Sequence, residues 1–418
     1  MSSSFTAPKG TYDVLPADSA SWLEVRRRLL EPARLAGYSY IEAPVFEDTA
    51  LFERGVGEST DVVTKEMYTF RDKGDRSITL RPEATAGIVR AVVEHRLGAG
   101  QLPLKLWYAG PMFRYERPQA GRFRQFQQID VEALGIDDPA LDAEVVALGA
   151  HAFRGIGLER VELLLTSLGD PQCRPEYTEK LRAFLRSLPL PDEDTKRRVE
   201  LNPLRVLDDK RPEVIALVAD APLMADSLCD DCQAHYDAVR EHLTDIGIAW
   251  TEAPRLVRGL DYYRRTTFEW QHTGLGAQSA VGGGGRYDGL SELVGGPPLP
   301  GIGWALGMER IMLALAAEEK LPETPSRVSV FVVAIGPEAK RIGVKLVNSL
   351  RAERVAADLA YGDRKLGGAM KAADRSGAAT AVVIGDRDLA EQVAQVKDLV
   401  TGEQRAVPLN SLIEELVR

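Results

Sequence analysis

The chain has 418 residues, 44% hydrophobic and 27% charged, with a formal net charge of −10 at neutral pH. That length allows two or three domains with cores of their own, and the composition excludes a disordered or collagen-like chain. No run reaches the ~20 apolar residues of a membrane span. The start, MSSSFTAPKG, carries no apolar segment like that of a signal peptide, and three cysteines (Cys173, Cys229 and Cys232) are too few for a disulfide framework. The expectation is a cytoplasmic protein. The acidic total argues against indiscriminate nucleic-acid binding, yet the stretch from Arg327 onward holds 14 basic and 12 acidic residues. An RNA partner would have to be met by local patches.

Apolar residues at helical spacing (Trp22, Val25, Leu29, Ala33, Ala36) predict a helix over 17–35, stopped by Gly37. YSYIEAPVFE reads as a strand ending at Pro44, which lacks a ladder donor and restricts Ala43. The glycines of LFERGVGESTDVV predict a mobile loop, followed by strands around Tyr68 to Phe70 and Ser77 to Leu80. The second half of RPEATAGIVRAVVEH has helical periodicity. Gly110 to Glu132, GPMFRYERPQAGRFRQFQQIDVE, then places Arg114, Arg117, Arg122 and Arg124 between two alternating segments. On the second segment Arg124, Phe126, Gln128, Asp130 and Glu132 share one parity, with Ile129 and Val131 on the other. One face is therefore polar, cationic at one end and acidic at the other. A solvated hairpin would show the same alternation; so would a wall that receives a ligand with a phosphate end and an amine or imidazole end.

A helix over 141–154 and a strand over 161–166 precede a charged, helix-rich stretch at 170–254, which reads as an inserted domain. Strand signals resume with TTFEW and the glycine run Gly282 to Gly285, where a ligand or another backbone could approach closely. A helix is predicted from Gly303 to about Glu319, with Trp304, Met308, Ile311, Met312 and Leu315 as its apolar stripe. Arg310 lies on a second face among small residues, which suits an arginine held against something. KLPETPSR is the clearest linker, and β and α signals alternate beyond it. The predicted division is 1–326 and 327–418. No GxxxxGK[ST] occurs, so a P-loop is excluded. Cys229, Cys232, His235 and His242 sit close in CDDCQAH and beyond it, but the longer gap of zinc-finger patterns is missing, so no metal ligand is assigned.

These segments resemble those of bacterial histidyl-tRNA synthetases, which are class II aminoacyl-tRNA synthetases, over nearly the whole chain. The strand ending at Pro44 resembles motif 1 of the class, FRYERPQAGRFRQF motif 2 and GIGWALGMERIMLAL motif 3. TLRPEATAG, LVRGLDYYRRTTFEW, SAVGGGGRYDGL and NPLRVLDDK resemble segments particular to the family. The resemblance implies an α+β fold: an antiparallel sheet with flanking helices, a helical insertion and a C-terminal α/β anticodon-binding domain. It also implies ATP and Mg²⁺, L-histidine and tRNA(His) as partners, and a homodimer. The catalytic arginines would be Arg114 and Arg258 at the α-phosphate and Arg310 at the far end of ATP. Glu116, Phe126 and Arg122 would hold the nucleotide. Glu83, Ala84, Thr85 and Gln128 would surround the amino group, and Glu132 and Tyr263 the imidazole, with Tyr262 beside them. Ala84 departs from the glycine commoner in the family. A non-catalytic, histidine-sensing relative would typically lack the C-terminal domain, and a ligase acting on something other than tRNA would not need it.

Overall fold

The computed structural model describes residues 5–57, 60–209, 211–276, 279–323 and 328–417. Lys210, the last residue of NPLRVLDDK, and part of the expected linker lie outside the described residues. The chain forms two compact units, Met1–Pro322 and Glu323–Arg418. Among the described residues no helix is long and apolar enough to cross a membrane.

The first unit is built on an eight-stranded sheet. Its second and third strands, Leu104–Phe113 and Gln125–Leu134, form the hairpin around the arginine-rich loop. The second arm pairs antiparallel with Gly301–Gly307, which pairs with Ala280–Arg286; Arg264–His272 and Val161–Ser167 follow, all antiparallel. Two-residue strands, Ser39–Tyr40 and Thr251–Glu252, add in parallel at the two edges. Helices Ser19–Leu35 and Pro139–Gly155 cover one face, where Val25, Leu29, Val145 and Val146 meet Ile129, Val131, Phe268 and Trp304 with almost no exposure. Pro139 opens the second of these helices at its first turn, where no donor is needed, and Asp138 caps it by accepting from the Ala140 amide at 2.8 Å. The other face stays open over part of its length, and that opening is the site.

Several expectations are corrected. The strand expected from Tyr38 to Pro44 is only Ser39–Tyr40. Beyond it the carbonyls of Ala43 and Pro44 accept hydrogen bonds from the Arg81 guanidinium instead of a ladder neighbour. The segment around Gly55 is not a loop: Thr49–Val56 is a helix capped by Asp48, and Gly55 lies against Ala86, where a methyl would sit 3.3 Å from the Ala86 Cβ. The predicted helix from Gly303 begins only at Met308, because Gly301–Gly307 is a strand. In that strand Gly303 faces Glu132, and a Cβ there would collide with the Glu132 carboxylate. Finally, 170–254 is not uniformly a separate helical module. The helix Asp230–Asp245 buries Tyr236, Val239 and Leu243 in the main core, and Thr251–Glu252 joins the sheet. Helices Arg174–Arg186, Glu193–Leu201 and Pro212–Leu217 pack with one another through Leu181, Leu185, Val199 and Val214.

In the second unit Val330–Ala334 is flanked by Ala357–Leu359 and Thr380–Ile384, both parallel, with Val393–Asp398 and Gln404–Pro408 added antiparallel. Alternation splits the central strand between two cores. Val330, Val332 and Ala334 meet helix Pro337–Ala352, while Phe331 and Val333 meet Ala369 and Ala373 of Leu366–Ser376.

Candidate active site

The open face of the sheet holds a cavity of about 380 Å³. The second hairpin arm forms its floor: Ile129 and Val131 point into the core, so Phe126, Gln128 and Asp130 turn into the cavity. Glu83, Thr85, Arg114, Glu116, Arg122, Phe126, Gln128, Arg258, Tyr262, Tyr263 and Arg310, expected from the sequence, all line it. They come from six separate segments, brought together by the sheet. Two expected residues sit one layer back. Ala84 is buried as the residue before helix Thr85–Glu94, with φ −100°, a conformation that requires no glycine. Glu132 lies behind the lining, accepting from the Thr85 hydroxyl at 2.7 Å and from the Tyr287 hydroxyl.

One end of the cavity is cationic. Arg114 donates through Nε to the Pro82 carbonyl at 2.8 Å, and its guanidinium carbon lies 5.3 Å from the centre of the Phe126 ring. Arg122 pairs with Glu116 at 3.1 Å. Arg310, in the first turn of helix Met308–Ala317, donates to the Ala280 carbonyl at 2.7 Å and to the Gly121 carbonyl at 3.3 Å. Burial, and then the charges of Arg122 and Arg114, push the Arg310 guanidinium below its ordinary range. Such a cluster is relieved by an anion.

The other two arginines of the loop take no part. Arg117 is exposed, and Arg124 lies outside the strand, its guanidinium stacked 3.8 Å from the centre of the Tyr115 ring. The expected cationic parity thus ends at Phe126, because the pleat ends at Gln125 and side chains beyond it no longer alternate.

Arg258 occupies the wall between the ends. It leaves an irregular stretch before Arg264–His272, ion-pairs with Glu269, and keeps Nε buried without a partner. Its guanidinium lies against the glycine strand at Gly283, where a methyl would be 2.7 Å from Nη1. Gly283 is therefore a structural requirement of this arginine's position.

The opposite end is acidic and buried. Glu83 accepts from the Ala86 amide at 3.0 Å and from the Tyr262 hydroxyl at 3.3 Å. Asp130 Oδ2 and Gln128 Oε1 are buried with no hydrogen-bond partner. Burial raises all three carboxyl groups: Glu132 is pushed up to about 8, Glu83 upward, and Asp130 well above the carboxylate range, with Glu132 and Glu83 adding repulsion there. The rings of Tyr262 and Tyr263 are 4.7 Å apart, and Tyr287 is 5.8 Å from Tyr262.

Four residues of the site were not assigned roles from the sequence. Asp130 shares the parity of Gln128, which was the available signal. Glu269 alternates with the buried Phe268 and Trp270 and so had to face the other way. Tyr287 reads in sequence only as a buried aromatic after the glycine run. Glu309 accepts from the Tyr12 hydroxyl and the Gln127 amide, both at 2.8 Å, across more than a hundred residues of chain, and no local pattern announces that.

The description of the histidyl-tRNA synthetase family matches residues 10–311, and that of an anticodon binding domain matches residues 329–418. The chain belongs to the histidyl-tRNA synthetase family. The histidine–tRNA ligase of Rhodococcus erythropolis is 61% identical over 414 residues, covering 99% of this chain and 98% of that relative. The one from Nocardia farcinica is 62% identical over 411 residues, covering 98% and 97%. A crystal structure of the apo histidyl-tRNA synthetase of S. aureus superimposes with a TM-score of 0.85 at 40% identity, over 99% of this synthetase chain and all of that one.

Proposed function

We propose that this synthetase activates L-histidine with ATP and transfers the histidyl group to the 3′ end of tRNA(His). The observation that carries the reading is the opposed polarity of one cavity. A cluster of arginines crowds one end, and crowded, buried carboxyl groups lie at the other. In the first step an oxygen of the histidine carboxylate attacks the α-phosphate, forming the mixed anhydride as the bond to the β-phosphate breaks and pyrophosphate leaves. In the second, a hydroxyl of the terminal ribose attacks the activated carbonyl carbon, AMP leaves, and the hydroxyl proton is lost. Carboxylate and triphosphate repel each other, so catalysis consists largely of holding both and neutralising charge in the transition state.

Arg114 and Arg258 would meet the α-phosphate from two walls of the cavity, with Arg310 on the far phosphates and Arg122 beside it. Phe126 and Glu116 would take the adenine. The unpartnered Gln128 Oε1, with Glu83, Thr85 and the backbone at Ala84, would receive the histidine ammonium, which also answers the orphaned Asp130 oxygen. Glu132 and Tyr263 would fix the two imidazole nitrogens, with Tyr262 beside them and Tyr287 orienting Glu132. A site built to hydrogen-bond a substrate N–H rejects analogues lacking it by ~10⁴ to 10⁵. Selection at this step needs no editing site.

Mg²⁺ would arrive on the ATP phosphates and neutralise part of their charge. Glu116 and Glu269 are the carboxylates of the lining that suit a hard cation, and each is held by an arginine. The C-terminal unit would bind the anticodon arm, and the short helices after Arg174 would approach the acceptor stem. A homodimer formed through the segment around Pro44 is supported by the exposure there of Tyr40, Val45 and Phe46. The cytoplasm is the compartment in which these partners meet.

The deciding experiment is pyrophosphate exchange with each of the twenty amino acids, repeated with tRNA present. Exchange with histidine alone, and charging of tRNA(His), supports the assignment. Absence of exchange with every amino acid would favour a histidine-sensing protein without ligase activity.

A further inference from the structure

All three cysteines of the chain converge on one point outside the active site. Asp170 and Cys173 stand where the chain leaves the strand Val161–Ser167. Cys229 and Cys232 stand where it returns, at the start of helix Asp230–Asp245. The ligand atoms of these four residues all lie within 4.8 Å of one another. Cys173 Sγ is 3.9 Å from Cys232 Sγ and 3.6 Å from Asp170 Oδ1, and Cys229 Sγ is 4.0 Å from Asp170 Oδ1.

The Cys173–Cys232 and Cys173–Asp170 separations match the edges of a metal-centred tetrahedron, and the Cys229–Asp170 separation is longer by about half an ångström. Zinc–sulfur bonds of ~2.3 Å place two tetrahedral sulfurs ~3.8 Å apart, and a sulfur and a carboxylate oxygen on the order of 3.5 Å apart. A disulfide would require sulfurs ~2.0 Å apart. We propose that Asp170, Cys173, Cys229 and Cys232 form a structural site for one zinc ion.

The surroundings are those of a built site. Gly169 takes φ +63°, and a side chain there would lie 2.8 Å from Cys173 Sγ, so the turn lets the sulfur approach the backbone. The Asp170 amide donates to that sulfur at 3.5 Å. Three thiolates and one carboxylate around Zn²⁺ leave an excess of negative charge, and the Arg265 guanidinium lies 3.3 Å from the second Asp170 oxygen. Backbone donors and a neighbouring cation are the usual outer partners that orient metal ligands. On binding, the three thiols give up three protons to solvent, and no electron moves.

The four donors differ from those suggested by the local spacing. His235 is engaged with the buried Asp142 at 2.9 Å, which removes it from the cysteine cluster. The partner of the Cys229–Cys232 pair is instead the Asp170–Cys173 pair, far away in sequence and also separated by two residues. Each pair is a turn that opens a helix, so the ion would tie together the two ends of the helical excursion. It would also act on the active site by position. Arg174, next to Cys173, donates to the Tyr263 carbonyl at 2.8 Å.

The test uses the full chain, purified under reducing conditions without chelator and supplied with Zn²⁺, with metal counted by mass spectrometry. Co²⁺ replaces Zn²⁺ in a parallel sample to show thiolate-to-cobalt absorption. Roughly one zinc per chain is expected, with tetrahedral thiolate–cobalt spectra. Asp170→Asn and Cys229→Ser should lower retention under mild chelation, whereas His235→Ala and His242→Ala should not. Wild-type protein that takes up neither metal while its three thiols are free and reduced would overturn the proposal. So would a mass showing a disulfide, or metal lost in the histidine variants and kept in Asp170→Asn and Cys229→Ser. The wild-type measurement stands even where a cysteine variant fails to fold.

Discussion

The two ends of the cavity are built alike and charged oppositely. At the outer end Arg310 is held near Arg114 and Arg122, and burial together with those charges weakens its hold on its proton. At the inner end burial strengthens the hold of Glu83, Asp130 and Glu132 on theirs, with Glu83 adding to the effect at Glu132 and both glutamates adding to it at Asp130. In each case like charges sit closer than an isolated fold would favour, and the surrounding packing holds them there. The difference lies in compensation. The arginines of the outer end hydrogen-bond to carbonyls or pair with a carboxylate and leave only Arg122 Nε orphaned, while the inner end leaves two acceptors, Asp130 Oδ2 and Gln128 Oε1, buried with no partner. An unmade hydrogen bond in a buried site costs more than a weakened one. The inner end should therefore be the stricter discriminator, and the outer end the source of rate.

The comparison is broken most sharply by changing the arginine between the two ends. Arg258→Ala should lower histidyl-adenylate formation by about 10² to 10³, the scale for losing one preorganised electrostatic contact. Pre-steady-state pyrophosphate exchange checks this, and a loss under threefold would remove Arg258 from the reaction. Next comes Gly303→Ala, whose methyl would collide with the Glu132 carboxylate. Overpacking of this kind costs about 1–3 kcal/mol. Histidine affinity should fall with little change in ATP affinity, as read by separate calorimetric titrations.

Titration separates the ends without large losses of activity. Glu132 has its pKa pushed up to about 8 in the folded chain against an ordinary value of 4.5. Between those limits the folded state keeps a proton that the unfolded chain has released. Its contribution to stability is therefore greatest at low pH and is lost as pH rises toward about 8. Urea unfolding midpoints across that window should decline with pH, and less steeply in Glu132→Gln. Histidine, bringing a cation, should favour the ionised carboxylates. Its binding near neutral pH should release protons, seen as a dependence of the calorimetric heat on buffer. Identical heats in buffers of different ionisation enthalpy would count against the inner end as the ammonium site. The smallest effect belongs to the loop. Arg117→Ala should alter exchange less than threefold, because Arg117 is exposed and outside the cavity, whereas Arg122→Ala should raise the KM for ATP.

Much of the site was legible before any folding. The alternation from Phe126 to Glu132 grouped the residues of the floor on one polar face, because the opposite parity holds residues that only a core accepts, and the structure decided that this face receives a ligand cavity and not bulk solvent. Arg258, Tyr262 and Tyr263 have side-chain directions that no regular strand satisfies together, and they lie on an irregular segment before Arg264–His272. Errors arose where local pattern had two explanations. Gly303 and Trp304 continue the spacing of the following helix, yet they belong to a strand. That choice was made by the Glu132 carboxylate above Gly303 and by the Gly284 backbone beside it. Likewise Gly55, which reads as a loop residue, supplies the close contact of a helix with Ala86.

The sequence by itself determined the order of the main elements and the polar parity of the floor, and its resemblance to the family named most of the side chains that reach the cavity. Order and parity depend on periods of two and 3.6 residues and on which residues tolerate close backbone approach, all of which are local properties. Only the tertiary structure decided which carboxyl groups crowd together, which arginines of the loop face inward, and that Tyr287 sits behind Glu132. It alone joined Asp170 and Cys173 to Cys229 and Cys232. Those outcomes depend on contacts between segments far apart in the chain, where distance and burial set the energies, and no local period encodes either one.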